Sequence, residues 1–271
     1  MLCIFCKSDS SASISEEHIV PQSLGNKEHA IPPGIVCDKC NNYFSKLEKK
    51  LLEQPYFTSL RFRNRIRSKK NKYPREKGLL LSPLTPIELT RDSDGKLSID
   101  FENGTDPALF QNIKKGTFIT PAIDMPEEND RIISRFIGKV GIEYLAMILM
   151  EKEEGLNEVV IKPELDLLRN YVRYGTPDRV WPYSLRRIYP EGDLKSDDGG
   201  EPYEILHEFR LLYTDSDELY IVVAIMGVEY CLNMGGPDLD GYKQWLEMNQ
   251  NRSPLEDSLC GHINMGRILS E

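Results

Sequence analysis

Two C-x-x-C pairs, Cys3/Cys6 and Cys37/Cys40, stand thirty residues apart near the N-terminus, and nothing else in the sequence restricts its folding as strongly. Each pair makes a tight knuckle that offers two sulfurs from one turn, and four thiolates suit a tetrahedral zinc ion. Four protein ligands close the coordination sphere, so this ion is expected to be structural. It would contribute roughly 10–16 kcal/mol of apparent folding free energy. The segment needs such a staple. Ser8, Ser10, Ser11, Pro21, Gly25, Pro32, Pro33 and Gly34 fill it with turn formers, so its regular elements should be short.

The stretch Met1-Leu2-Cys3-Ile4-Phe5-Cys6 turns polar at once, with neither a basic nor a long apolar region, so no signal peptide is expected. The longest apolar runs, Tyr144–Met150 and Ile221–Met226, fall short of the ~18 residues a membrane span needs. The expected location is the cytoplasm, where paired C-x-x-C cysteines bind metal more often than they form disulfides. Cys231 and Cys260 stand alone.

Chemistry-bearing residues lie between and beside the knuckles. Glu16-Glu17-His18-Ile19-Val20-Pro21-Gln22-Ser23-Leu24-Gly25 sits between the pairs, and Asn41-Asn42-Tyr43-Phe44-Ser45 follows Cys40 directly. An imidazole with pKa near ~6.5 can accept a proton from water at neutral pH. A carboxylate and an amide oxygen can hold a hard divalent cation. The string E-H-I-V-P-x-S-L-G, followed by C-x-x-C-N-x-x-F-S, resembles the HNH endonucleases of the ββα-metal superfamily. More narrowly it is similar to the branch with two zinc-binding pairs. The likeness covers roughly residues 3–54, about a fifth of the chain.

The resemblance implies a role for each matching residue. His18 would be the general base, on the first strand of a hairpin. Glu17 would be a ligand of the catalytic Mg²⁺ or Mn²⁺, with Glu16 as its alternative. Asn41, at the start of the following helix, would be the other ligand. Cys3, Cys6, Cys37 and Cys40 would hold zinc. Cleavage would leave 5′-phosphate and 3′-hydroxyl ends. One position departs from the pattern. Many members have an Asn about five residues before the second pair, which braces the loop of the general base; here Pro32 stands there. The brace must then come from Asn26, Asn42 or the backbone.

Charge is unevenly divided. Residues 1–77 hold 15 Lys+Arg against 8 Asp+Glu, while the whole chain carries a net charge of −9. A basic first part attracts polyanions and an acidic second part does not. The boundary is therefore expected near Lys77, giving a nuclease domain over 1–77 and an acidic α+β domain over 78–271. The phosphate-binding surface would be Arg61, Arg63, Arg65, Arg67, Lys69, Lys70 and Lys72, since each neutralised phosphate releases counterions.

Coarse structure follows from periodicity. Phe44, Leu47, Leu51 and Leu52 form one face of a helix over 38–54, which Pro55 should end. Asp94-Gly95 marks a hairpin between 87–91 and 96–101. Helices are expected over 131–150, 164–174 (closed by Gly175) and 241–249, and a meander over 205–213, 219–226 and 228–233. The fold class is α+β, with an antiparallel sheet in the second domain. Gly138-x-x-Gly141 reads as helix packing rather than a ligand loop.

The functional expectation is a metal-dependent endonuclease acting on nucleic acid, DNA first. By family habit it would be a restriction, phage-defence or mobile-element effector, with the C-terminal domain recognising substrate, binding a regulatory ligand or forming a homo-oligomer. The rival reading is a zinc-knuckle nucleic-acid-binding protein without hydrolysis.

Overall fold

A computed structural model describes residues 1–101, 106, 108, 115–195 and 203–256. It has mixed α+β architecture with antiparallel sheets. The chain divides into two compact units. One holds Met1–Pro21, Asn26–Leu51 and the described residues from Glu128 onward; the other holds Gln22–Gly25 and Leu52–Glu127. These units do not coincide with a division near Lys77. The cysteine-bearing segment falls in one unit with the C-terminal half, because side chains far apart in sequence meet there, as Arg169 does with Ile4 O, and a count of charge along the chain does not register such meetings.

The first unit begins with two very short strands, β1 (Glu17–His18) and β2 (Ala30–Ile31), paired antiparallel with Glu17 opposite Ile31. Helix α1 (Asp38–Leu52) follows, burying Cys40, Phe44, Leu47 and Leu51 on the expected face. After the second unit the chain returns as α3 (Arg131–Leu149), whose first turn is capped by Asp130 accepting from the amides of Ile132 and Ile133. Two further helices are α4 (Gly155–Ile161) and α5 (Asp166–Tyr174), the latter closed by Gly175 at φ 74°.

A four-stranded sheet of β7 (Ser184–Arg187), β10 (His207–Tyr213), β11 (Leu219–Ile225) and β12 (Val228–Asn233) completes this core, in the order β10-β11-β12-β7. The strands β8 (Leu194–Lys195) and β9 (Tyr203–Glu204) pair with each other. Residues 220–225 are all buried because both sheet faces are covered. Tyr220, Val222 and Ala224 pack with Tyr242 of α6 (Asp240–Met248), and Ile221 lies against α3. A Cβ on Gly138 would come within 2.7 Å of Val172, and one on Gly141 within 2.8 Å of Ile221. This glycine pair is what lets α3 close onto α5 and β11.

In the second unit, α2 (Pro55–Arg63) is a helix that the sequence reading missed. Pro55 starts it rather than merely ending α1, since proline at the first helical position lacks only an N–H that would be unpaired anyway. The sheet of this unit runs β5-β4-β3-β6, from β3 (Glu76–Leu81), β4 (Leu84–Arg91), β5 (Leu97–Phe101) and β6 (Phe118–Ile119). Its small core is Phe62, Leu80, Ile87 and Leu89. Asp92–Lys96 turns the expected hairpin, with Gly95 at φ 79°. Among the described residues, no helix is long and apolar enough to cross a membrane.

Candidate active site

The two knuckles bring Cys3, Cys6, Cys37 and Cys40 together, their four sulfurs within 4.8 Å of one another. Cys6 Sγ and Cys37 Sγ are 3.6 Å apart. A tetrahedron with Zn–S bonds of about 2.3 Å needs sulfurs about 3.8 Å apart, so the four fit a zinc ion by type and by spacing. Local bonds shape the knuckles. Lys7 N donates to Cys3 O, Cys40 N and Asn41 N both donate to Cys37 O, and Lys7 takes a left-handed φ of 56° to close the first turn. The amide of Cys37 also donates to Cys3 Sγ at 3.3 Å. A hydrogen bond from the Cys40 thiol, opposed by burial and helped by backbone amides, lowers Cys3 to about 4.

The helix that follows Cys40 carries Asn41 in its first turn, and the β1–β2 hairpin carries Glu17 and His18. Asn41 Nδ2 donates to Glu16 O at 3.1 Å, so the amide head lies against the strand of His18. Hairpin, knuckle and helix stand in the order ββα. Residues 3–55 match the HNH endonuclease family. No curated protein and no solved structure matches the chain.

Within the matching segment, the loop after His18 is tied by one buried side chain. Asn26, 2% exposed, donates to Val20 O (2.7 Å) and His29 O (2.9 Å) and accepts from the amides of Glu28 (3.1 Å) and His29 (3.0 Å). One side chain thus ties both ends of the loop after His18, which Pro32 could not do. His29 leans its ring on Phe209, with centroids 5.0 Å apart, and is only half exposed.

Glu17 and His18 fare differently. Successive strand residues point to opposite faces. His18 is half-buried, while Glu17 is buried with Oε1 2.9 Å from Lys139 Nζ. Lys139, on α3, also reaches Glu48 on α1 and Glu143 one turn along α3, each at 2.9 Å. Burial alone would discharge this lysine, but the Glu143, Glu17 and Glu48 carboxylates outweigh it and hold the ammonium charged above the ordinary lysine value. Burial pushes the Glu143 carboxyl up in turn, opposed by the charge and hydrogen bond of Lys139. A metal role for Glu17 therefore requires its carboxylate to be shared between Lys139 and the ion. Glu16 is exposed.

Cations from α5 complete the surroundings of the knuckles. Arg173 Nε donates to Cys40 Sγ at 3.1 Å, and its guanidinium lies 4.2 Å from the Tyr43 ring centre. Arg169, 2% exposed, donates through Nε to Ile4 O (2.7 Å) and through Nη2 to Val159 O (2.6 Å). Local sequence reading finds none of these three cations. A signal existed in Lys139 and Glu143, an i, i+4 charge pair set in a largely apolar helix.

The basic run is not one surface. Arg61 is only 7% exposed and leaves the proposed phosphate-binding set, because α2 turns it inward with Phe62. Arg67 is half-buried, donates to Asn71 Oδ1 at 2.8 Å and stacks on Tyr73. Arg63, Arg65, Lys69, Lys70 and Lys72 are exposed. Lys69 and Lys70 ride on a tight turn closed by Asn71 N donating to Ser68 O.

Proposed function

We propose that this protein is a metal-dependent endonuclease that hydrolyses phosphodiester bonds in nucleic acid, with DNA as its substrate and His18 as the general base. The observation that carries the reading is the ββα unit itself, in which the hairpin of His18 and the first turn bearing Asn41 are joined by the Asn41–Glu16 hydrogen bond inside a segment matching the HNH family. His18 takes the proton of the attacking water. Glu17 and Asn41 would hold Mg²⁺ or Mn²⁺, which when bound relieves charge on the phosphate and the leaving oxygen. The four cysteines would hold zinc, fixing the Asn41 helix beside the His18 hairpin. Arg63, Arg65, Lys69, Lys70 and Lys72 would attract the backbone, so binding should weaken steeply with salt.

The test is nicking of supercoiled plasmid with Mg²⁺, with Mn²⁺ and with neither, for wild type and His18→Ala. Loss of nicking in the variant, with zinc content unchanged, is the expected outcome; equal nicking removes His18 from its role. The inward turn of Glu17 favours a second reading, a nucleic-acid-binding module without hydrolysis. Salt-sensitive binding with no cleavage under any divalent cation would establish that instead.

A further inference from the structure

The HNH segment ends before residue 56, yet the hairpin of His18 is held from outside it. Lys139 Nζ donates to His18 O at 3.0 Å and lies 3.4 Å from Ile19 O, in addition to its contacts with Glu17 and Glu48. One ammonium therefore touches the strand that bears the general base, the helix that bears Asn41, and its own helix α3. The hairpin needs such a support. Its strands are two residues each, and an isolated two-stranded hairpin is marginal even when longer.

The ammonium has three N–H donors and is surrounded by five oxygens, so it cannot swing away without leaving buried acceptors unpaired. Glu48 matters because it lies two turns along α1 from Asn41. Through Glu48 on one side and the His18 carbonyl on the other, Lys139 sets the spacing of strand and helix at their buried ends. The Asn41–Glu16 bond sets it at the outer end.

We propose that Lys139 is a positioning residue for the nuclease site, holding the His18 strand in register with the Asn41 helix. The inference rests on the endonuclease reading. It implies that α3, far along the chain, is an integral part of the catalytic apparatus and not only of a recognition domain.

The test uses the full, zinc-loaded chain with Lys139→Met, which keeps the side-chain length and removes the charge. A companion, Lys139→Met/Glu48→Gln/Glu143→Gln, relieves the carboxylates left without their cation while keeping Glu17. Two readouts are taken, the KM and kcat of cleavage and the ring ¹⁵N resonance of His18. The chain has only four histidines, so His18→Ala assigns that signal. A shift of about an ångström at a reacting group can cost about 10²-fold in rate, so kcat should fall about 10²-fold with KM unchanged. The His18 resonance should move or broaden in the variants. Wild-type kcat together with a wild-type His18 signal in either folded variant overturns the proposal. Failure of both variants to bind zinc or melt cooperatively also overturns it, making Lys139 a residue of the fold alone. If wild type cleaves nothing with either metal, the endonuclease reading fails by itself, and the histidine spectrum still decides whether Lys139 holds the strand.

Discussion

Replacing Arg173 by Met should weaken zinc binding without disturbing the knuckles. Arg173 is 8% exposed and donates to Cys40 Sγ at 3.1 Å. Four thiolates around a divalent ion leave a net negative charge, and this guanidinium faces it directly. A hydrogen bond to a charged acceptor contributes about 1.5–3 kcal/mol. At about 1.4 kcal/mol per decade this is roughly 10- to 100-fold in affinity, the range expected when an outer partner of a metal ligand is lost. Methionine retains an apolar stem beside Tyr43, so the lost stacking is modest and acts on the helix rather than on the sulfur. The assay is competition for zinc with a chromophoric chelator at fixed pH. Arg173→Lys should lose less, because it keeps the charge but not the directed Nε–H. Arg252→Met, which removes an exposed pair with Glu256, is the control. A zinc Kd within twofold of wild type in Arg173→Met would refute the reasoning, showing that the contact is geometric and not electrostatic.

Other expectations follow from single contacts. Arg169→Met leaves the buried carbonyls of Ile4 and Val159 without donors, at about 1–3 kcal/mol each, so urea unfolding should show a loss of about 2–6 kcal/mol; under 1 would contradict it. Asn26→Ala removes four hydrogen bonds around the loop after His18 and should lower both Tm and plasmid nicking while leaving zinc content unchanged. Glu76 is buried and its carboxyl is raised by that burial, with a bond from Ser59 and the charge of Arg63 opposing. A raised carboxyl contributes stability that is full below its unfolded value and is lost as pH rises through the folded value. Glu76→Gln should therefore flatten the fall in Tm from the ordinary carboxylate range upward and be the more stable protein at neutral pH. A parallel shift at every pH would rule that out.

What could be read from the chain alone was whatever depends on near neighbours. C-x-x-C spacing announces a knuckle because two sulfurs must share one turn, and the structure brings all four together. Asp94-Gly95, the capping Gly175 and the stripe on α1 announce their elements because turn and helix geometry is local. Glu17-His18 and Asn41 could be picked out by motif, and the fold sets hairpin and helix side by side, but their burial could not be foreseen.

Tertiary structure decided the rest. Lys139 meets the His18 carbonyl across 121 residues, and Arg173 meets Cys40 across 133. No local period encodes such a meeting; it arises when α3 and α5 close together through the small surface of Gly138. The same closure turns Glu17 toward a buried lysine. In the other unit, the packing of α2 draws Arg61 out of a run that charge counting treats as uniform. Spacing along the chain specifies which ligands and bases are available. Burial, which depends on every element packed around them, decides which of those groups face water, metal or one another.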